Sequence, residues 1–221
     1  MLITVPVKTK DYHLYGGKIV EVLHVTDLGV CFDSKLSFED HIREMIIKAN
    51  KTLIMMQKHF HFSNQVNRRL LYNAFVQPIM DYASVTWSPI KKSLISAIEK
   101  VERRATHWIM MRPGMTYKER LNKCRLLSLE KRREYMDFCM MHHLKNVKIN
   151  RLTNADFGIK TVKSKKNKHN IMQPWPGNRH NQREFSLPIV HGWNTLPDSI
   201  KSINDHKKFK HALYHSLQSN S

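Results

Sequence analysis

The chain has little of several things that common function classes require. Glycine occurs only 7 times in 221 residues, and no glycine-rich run of the kind that cradles phosphates is present. Cysteine is scarcer still: Cys31, Cys124 and Cys139 make an odd number at wide spacing, with no Cys-x-x-Cys. That disfavours a disulfide framework and points to a reducing compartment, nucleus or cytoplasm. No apolar run approaches the roughly 18 residues of a membrane span. The opening "MLITVPVKTK" carries its lysines after a short apolar run, the reverse of a secretory signal. Acid is short too, with 18 Asp+Glu against 37 Lys+Arg and a formal net charge of +19.

That excess of positive charge suits a polyanionic partner. Nucleic acid is the first candidate and an anionic membrane the second. The bland alternative is a basic solvated surface with no specific partner. Hydrophobic residues make up 41% of the chain, enough to fill one large core or two small ones.

Hydrophobic periodicity divides the chain. Residues 1–36 read as β structure, with "YHLYGGKIVEV" as two alternating runs around Gly16-Gly17. "LHVTDLGVCF" reads as one further strand, with Gly29 as a bulge or close backbone approach. From Ser37, a natural N-cap, the period turns helical, with Phe38, Ile42, Met45, Ile46, Ala49 and Leu53 on one face. A second helix follows Ser63 and is kinked or broken at Pro78. A third covers "KKSLISAIEKVERRATHWIMM" and buries Leu94, Ile98, Val101, Ala105 and Trp108 before "RPG" stops it. "TYKE" at Thr116–Glu119 has the pattern of a capping box. Ser128 caps a further helix, with Met136, Met140 and Leu144 predicted inside. Residues 147–184 form a basic connection poor in core residues, and 185–221 end in a helix with Phe209, Ala212 and Leu213 inward. The fold expected is mainly α: a helical bundle over 37–146, a small N-terminal antiparallel β-hairpin sheet, and a C-terminal extension docked on the bundle.

Candidate chemistry is thin. Asp81, in "VQPIMDYASVTWSPI", stands in the company of a tyrosine, as polymerase metal-binding carboxylates do. It follows a proline-interrupted helix rather than lying between two strands, and no second carboxylate adjoins it. Paired carboxylates on a strand-turn-strand are what a two-metal site needs. The better reading is structural: Asp81 caps or orients a helix end, while Tyr82 and Trp87 pack. The histidine pairs His59/His61 and His142/His143 lack the spacing of a structural zinc site. Cys124 and Cys139 fall on or near apolar faces, a poor setting for a reactive thiol. Trp87, Trp108 and Trp193 read as core, and Trp175 sits between prolines where it could stack on a base or cover the core.

A series of stretches carries a resemblance. "DLGVCFDSKLSFEDHI", "KANKTL", "LLYNAFVQPIMDYASVTWSP", "IEKVERRAT", "YKERL", "LLSLEKRRE" and "WNTLPDSI" occur in that order. The series resembles the C-terminal part of reverse transcriptases from non-LTR (LINE-type) retrotransposons, in the jockey-like group. Asp27, Gly29, Asp81, Tyr82, Trp87, Trp193 and Pro197 stand at its signature positions. The resemblance implies a hairpin closing a polymerase palm, a thumb-like helical bundle and a carboxy-terminal extension. It also implies a template-primer partner, such as an RNA–DNA hybrid, and contact with a palm. The family's RNA-directed DNA polymerase uses Mg2+ through palm aspartates that have no counterpart in these residues. The chain alone is therefore expected to hold no cofactor or catalytic residue and to bind without polymerising. The alternatives are a helical protein-interaction module, or a relic of a decayed mobile element.

The basic residues give the candidate interface. Lys100, Arg103, Arg104 and His107 follow helical spacing and share one face. Lys91, Lys92, Lys131, Arg132 and Arg133 add charge on neighbouring segments. Such a face tracks phosphates through charge and reach, with little sequence specificity. The competing reading is a solvated face in which Glu99 and Glu102 partly neutralise the arginines.

Overall fold

The structure is a computed structural model and describes residues 12–18, 20, 22–89, 91–146, 169–171 and 186–219. It is mainly helical, with small antiparallel hairpins at its N-terminal end. Most of the basic stretch 157–183, with Trp175, lies outside the described residues.

Two two-stranded sheets replace the single hairpin and lone strand expected. The first pairs β1 (His13–Leu14) with β2 (Gly17–Lys18). Its turn is Tyr15-Gly16, both at positive φ (49° and 79°), so the turn sits one residue earlier than the Gly16-Gly17 pair suggests. "LHVTDLGVCF" folds back on itself as β3 (His24–Asp27) and β4 (Val30–Asp33), with Asp27 opposite Val30. Leu28 and Gly29 form that turn at φ 46° and 78°, the left-handed pair a two-residue hairpin requires. Gly29 is thus a turn residue rather than a bulge.

Helix α1 (Glu39–His59) begins two residues after Ser37. Phe38 holds the N-cap in a left-handed conformation without a side-chain cap. Asp33, at the end of β4, does the capping instead. Its carboxylate accepts from the Phe38 N–H at 2.8 Å and from the Ser37 hydroxyl at 3.0 Å. Burial pushes the Asp33 carboxyl up, but the hydrogen bonds from Ser37, Phe38 and Lys35 win and hold it down at about 2. Ile42, Met45, Ala49, Leu53 and Met56 are buried, with Phe38 and Ile46 packed against them.

The break at Pro78 takes a specific form. Helix α2 (Gln65–Leu71) is capped by Asn64, whose side chain accepts from the Asn67 N–H at 2.9 Å. It continues through a π turn (Tyr72–Val76) into α3 (Gln77–Asp81). A π turn absorbs the missing amide and the ring clash without breaking the chain's direction. A short α4 (Ser84–Trp87) leads to α5 (Lys92–Met110), which ends where Met111 turns left-handed at φ 44°. The capping box of Thr116 and Glu119 opens α6 (Tyr117–Cys124). In α7 (Leu129–Asn146) the Ser128 hydroxyl accepts from the Lys131 N–H at 3.3 Å.

Two apolar cores share α7. The first holds α1, the π turn, α5, α6 and Leu129, around the fully buried Trp87. The second is built from Phe138, Met141 and Leu144 against α8 (Ser186–Thr195), α9 (Asp198–Lys201) and α10 (His206–Ser219). Of α7, only its first residue, Leu129, belongs to the first core, while Phe138, Cys139, Met141 and Leu144 belong to the second. Met140 is exposed and Met136 half-buried, while Phe138 and Met141 are inside. In α8, Gly192 is required by contact: a Cβ there would lie 2.9 Å from the Phe138 ring.

Candidate nucleic-acid interface

Helix α5 builds the interface. Its apolar positions Leu94, Ile98, Val101, Ala105 and Trp108 are all buried, which turns Lys100, Arg103, Arg104 and His107 outward together. The arginines are held in place rather than loose. The Arg103 guanidinium lies 4.3 Å from the centre of the Tyr117 ring, and Arg104 Nη1 donates to Asn50 Oδ1 at 3.0 Å. Arg120 of α6 joins them: its Nη1 donates to the Met115 carbonyl at 2.6 Å, and it lies 5.8 Å from the same tyrosine ring. Arg120 is missed by sequence reasoning, because only the packing of α6 on α5 brings it there.

Glu102 of α5 does not reach this face. Glu102 is fully buried and accepts from Tyr72 Oη at 3.4 Å and Tyr117 Oη at 3.3 Å. Glu99 accepts from Tyr117 Oη as well. Burial first, and then the charge of Glu99, raises the Glu102 carboxyl well above the usual range. The expectation that these glutamates partly cancel the arginines is corrected for Glu102.

The other predicted basic residues divide. Lys91 pairs with Glu39 at the head of α1, and Lys92 is exposed in the first turn of α5. The run Lys131-Arg132-Arg133 is largely absorbed by acids. Lys131 pairs with Glu134 at 2.8 Å. Arg133 is buried, within reach of the charges of Glu99, Glu130 and Asp137. Arg132 grips Asp81: its Nε donates to both carboxylate oxygens at 2.9 and 2.7 Å, and Nη2 lies 2.6 Å from Oδ2. Arg132 and Arg133 therefore leave the solvent-facing set. Burial pushes the Asp81 carboxyl up, and the hydrogen bonds and charge of Arg132 pull against it. Asp81 orients a helix end, as the sequence suggests, but through an arginine 51 residues away rather than a cap.

The signature positions converge in space. Tyr82 Oη donates to the Leu28 carbonyl at 2.6 Å, so "DLG" and "DYASVTW" meet. Asp27 closes the same hairpin, and the Tyr82 ring lies 3.7 Å from where a Cβ on Gly29 would be. Trp87 is fully buried and its Nε1 donates to the Tyr82 carbonyl at 2.7 Å. At the other end, Trp193 Nε1 donates to the His169 carbonyl at 3.0 Å. Asn194 pairs with both backbone groups of Ile171 at 2.9 Å, and Pro197 caps α9.

Among the described residues, no group of three or more His, Cys, Asp or Glu side chains is placed to hold a metal ion. No helix of the described residues is long and apolar enough to cross a membrane. Cys124 and Cys139 are buried, and burial raises both thiols, Cys124 to about 11.

No protein-family model matches the chain, and no solved structure does. An 82-residue stretch is 34% identical to an uncharacterized protein of Caenorhabditis elegans. The match covers 37% of this chain and 41% of that protein.

Proposed function

We propose that this chain binds template-primer nucleic acid through the outer face of α5, as the thumb and post-thumb portion of a non-LTR retrotransposon reverse transcriptase. The observation that carries the reading is the outward stripe of Lys100, Arg103, Arg104 and His107, extended by Arg120, while Glu102 on the same helix is buried. Positioned cations on a rigid helix can follow a phosphate backbone without reading its sequence. The meeting of Asp27-Leu28-Gly29 with Tyr82 and Trp87 supports the resemblance, since those stretches belong to its signature series. In this reading the hairpins, with Leu23, Val25 and Leu28 exposed, face a polymerase palm that supplies Mg2+ and the catalytic aspartates. The chain by itself contributes grip.

A salt titration of binding to a labelled RNA–DNA hybrid tests this. Four phosphate contacts, from Lys100, Arg103, Arg104 and Arg120, give a log-log slope of about −3.6 on the B-form relation. Changing Lys100, Arg103 and Arg104 to alanine should flatten the slope by about 2.7 and weaken binding at every sequence. Unchanged affinity in that triple variant would remove α5 from the interface.

A second reading has one observation in its favour. Val66 and Leu70 stand one turn apart on α2, with Phe62 in the turn before it, and the three are 57%, 56% and 92% exposed. That patch suits a helical protein-interaction module. Salt-insensitive capture of a protein partner, lost on Leu70→Ser, would favour it over the nucleic-acid reading.

A further inference from the structure

Beside the α5 stripe the surface is concave. Two adjoining shallow clefts, of about 330 and 320 Å³, share Gln57 of α1 and His107 of α5. Trp108, Met111 and Pro113 make the wall of the first largely apolar, with Arg112 at its edge. Arg103, Arg104 and Arg120 make the second strongly cationic. Among the described residues, no carboxylate lines either cleft. An apolar hollow thus stands next to a phosphate-ready one, and between them lies an amide that can both donate and accept.

The cationic half is set in advance. Arg103 rests on Tyr117, Arg120 is tied to the Met115 carbonyl, and Arg104 is tied to Asn50. Each is steered by a neutral group, so its full charge remains for an anion. Trp108 lends the apolar half carbon surface only: the residue is 6% exposed and its Nε1 is fully buried.

We infer that these joined clefts hold one unpaired nucleotide of a nucleic-acid strand, its base in the Trp108–Met111–Pro113 hollow and its phosphate on Arg103, Arg104 and Arg120. The inference rests on the nucleic-acid reading above and adds the state of the nucleotide. A base inside a duplex offers only its edges. A concave apolar hollow takes a face, and only an unstacked base presents one. Gln57 is placed to meet the base edge, and His107 lies where base and phosphate join. The combination excludes a lipid tail, which needs a longer apolar channel than these shallow clefts provide.

The test compares a short blunt RNA–DNA hybrid with the same hybrid carrying a few unpaired nucleotides at one end, by fluorescence anisotropy at fixed salt. The overhang should tighten binding about tenfold. Gln57→Ala and Met111→Gly should reduce that gain to about twofold or less and leave the blunt hybrid unaffected. Met111→Gly is safe for folding, because Met111 sits at φ 44° and glycine takes that conformation freely. Equal binding of blunt and overhung hybrids by the parent protein would overturn the inference and leave the α5 interface standing. So would an overhang advantage that survives both substitutions. Failure of both hybrids to bind would overturn both readings. An acidic peptide that displaces the overhung hybrid as well as a single-stranded oligonucleotide does would assign the clefts to protein instead.

Discussion

Replacing Asp81 with alanine should destabilise the fold by about 3 kcal/mol, because it leaves Arg132 charged and half-buried without its carboxylate. The size follows from the geometry. Three nitrogen–oxygen contacts of 2.6–2.9 Å join the two side chains, which are only 14% (Asp81) and 23% (Arg132) exposed. Breaking a fully buried pair costs about 3–5 kcal/mol, and an exposed pair is worth under about 1. This pair lies near the buried limit, with some relief from water at its exposed edge. Arg132 would keep one acceptor, the Gln77 amide oxygen, which reaches Nη1 at 2.7 Å when the amide is turned to satisfy both its groups. Urea denaturation of Asp81→Ala, Arg132→Ala and the double variant closes a cycle whose coupling should be about 2 kcal/mol. At this chain length the single change corresponds to a fall in Tm of roughly 6–12 °C. A loss below about 1 kcal/mol, or additive single effects, would refute a structural ion pair. Stabilisation by Mg2+ that vanishes in Asp81→Ala would refute it differently, by making Asp81 a metal carboxylate.

Glu102 sets a pH dependence. Burial, then Glu99, raises its folded pKa above the unfolded value of about 4.3, so the folded form keeps a proton the unfolded form has lost. Stability should therefore fall with rising pH, by up to about 1.4 kcal/mol per pH unit from this group, until the folded pKa is passed. Asp137 adds the same sign, since burial lifts it to about 7 against the pull of Arg133. Glu102→Gln cannot ionise, so its urea midpoint should gain on the parent as pH rises above the ordinary glutamate range. A constant offset between the two proteins would contradict a protonated Glu102. Gly29→Ala should cost about 1 kcal/mol, from the left-handed φ of 78° alone, because the new Cβ would meet Tyr82 at an ordinary 3.7 Å. A loss above about 3 kcal/mol would show that the turn is closed by packing rather than by backbone strain.

The amino-acid sequence by itself settled whatever depends on neighbours within a turn or two. The buried stripes of α1 and α5, the capping box at Thr116, the Ser128 cap and the outward grouping of Lys100, Arg103, Arg104 and His107 follow from helical spacing and local hydrogen bonds. Hairpin register was legible only to within a residue, because Tyr15-Gly16 and Gly16-Gly17 both admit positive φ. Long-range packing decided the rest. Arg132 looks like one more surface cation until α7 lands on α3 and Asp81 takes it. Glu102 looks like a solvated acid until tyrosines from the π turn and α6 close over it. The buried side of α7 was legible in part: Leu144 is inside as its spacing suggests, but Met140 is exposed and Met136 half-buried, because the helix meets the second core through Phe138, Met141 and Leu144. The joined clefts bring Gln57 of α1 to arginines of α5 and α6, and no spacing along one chain segment encodes that meeting. Local geometry is written in intervals of three or four residues, whereas partners for buried charge are chosen by whichever helices the apolar faces bring together.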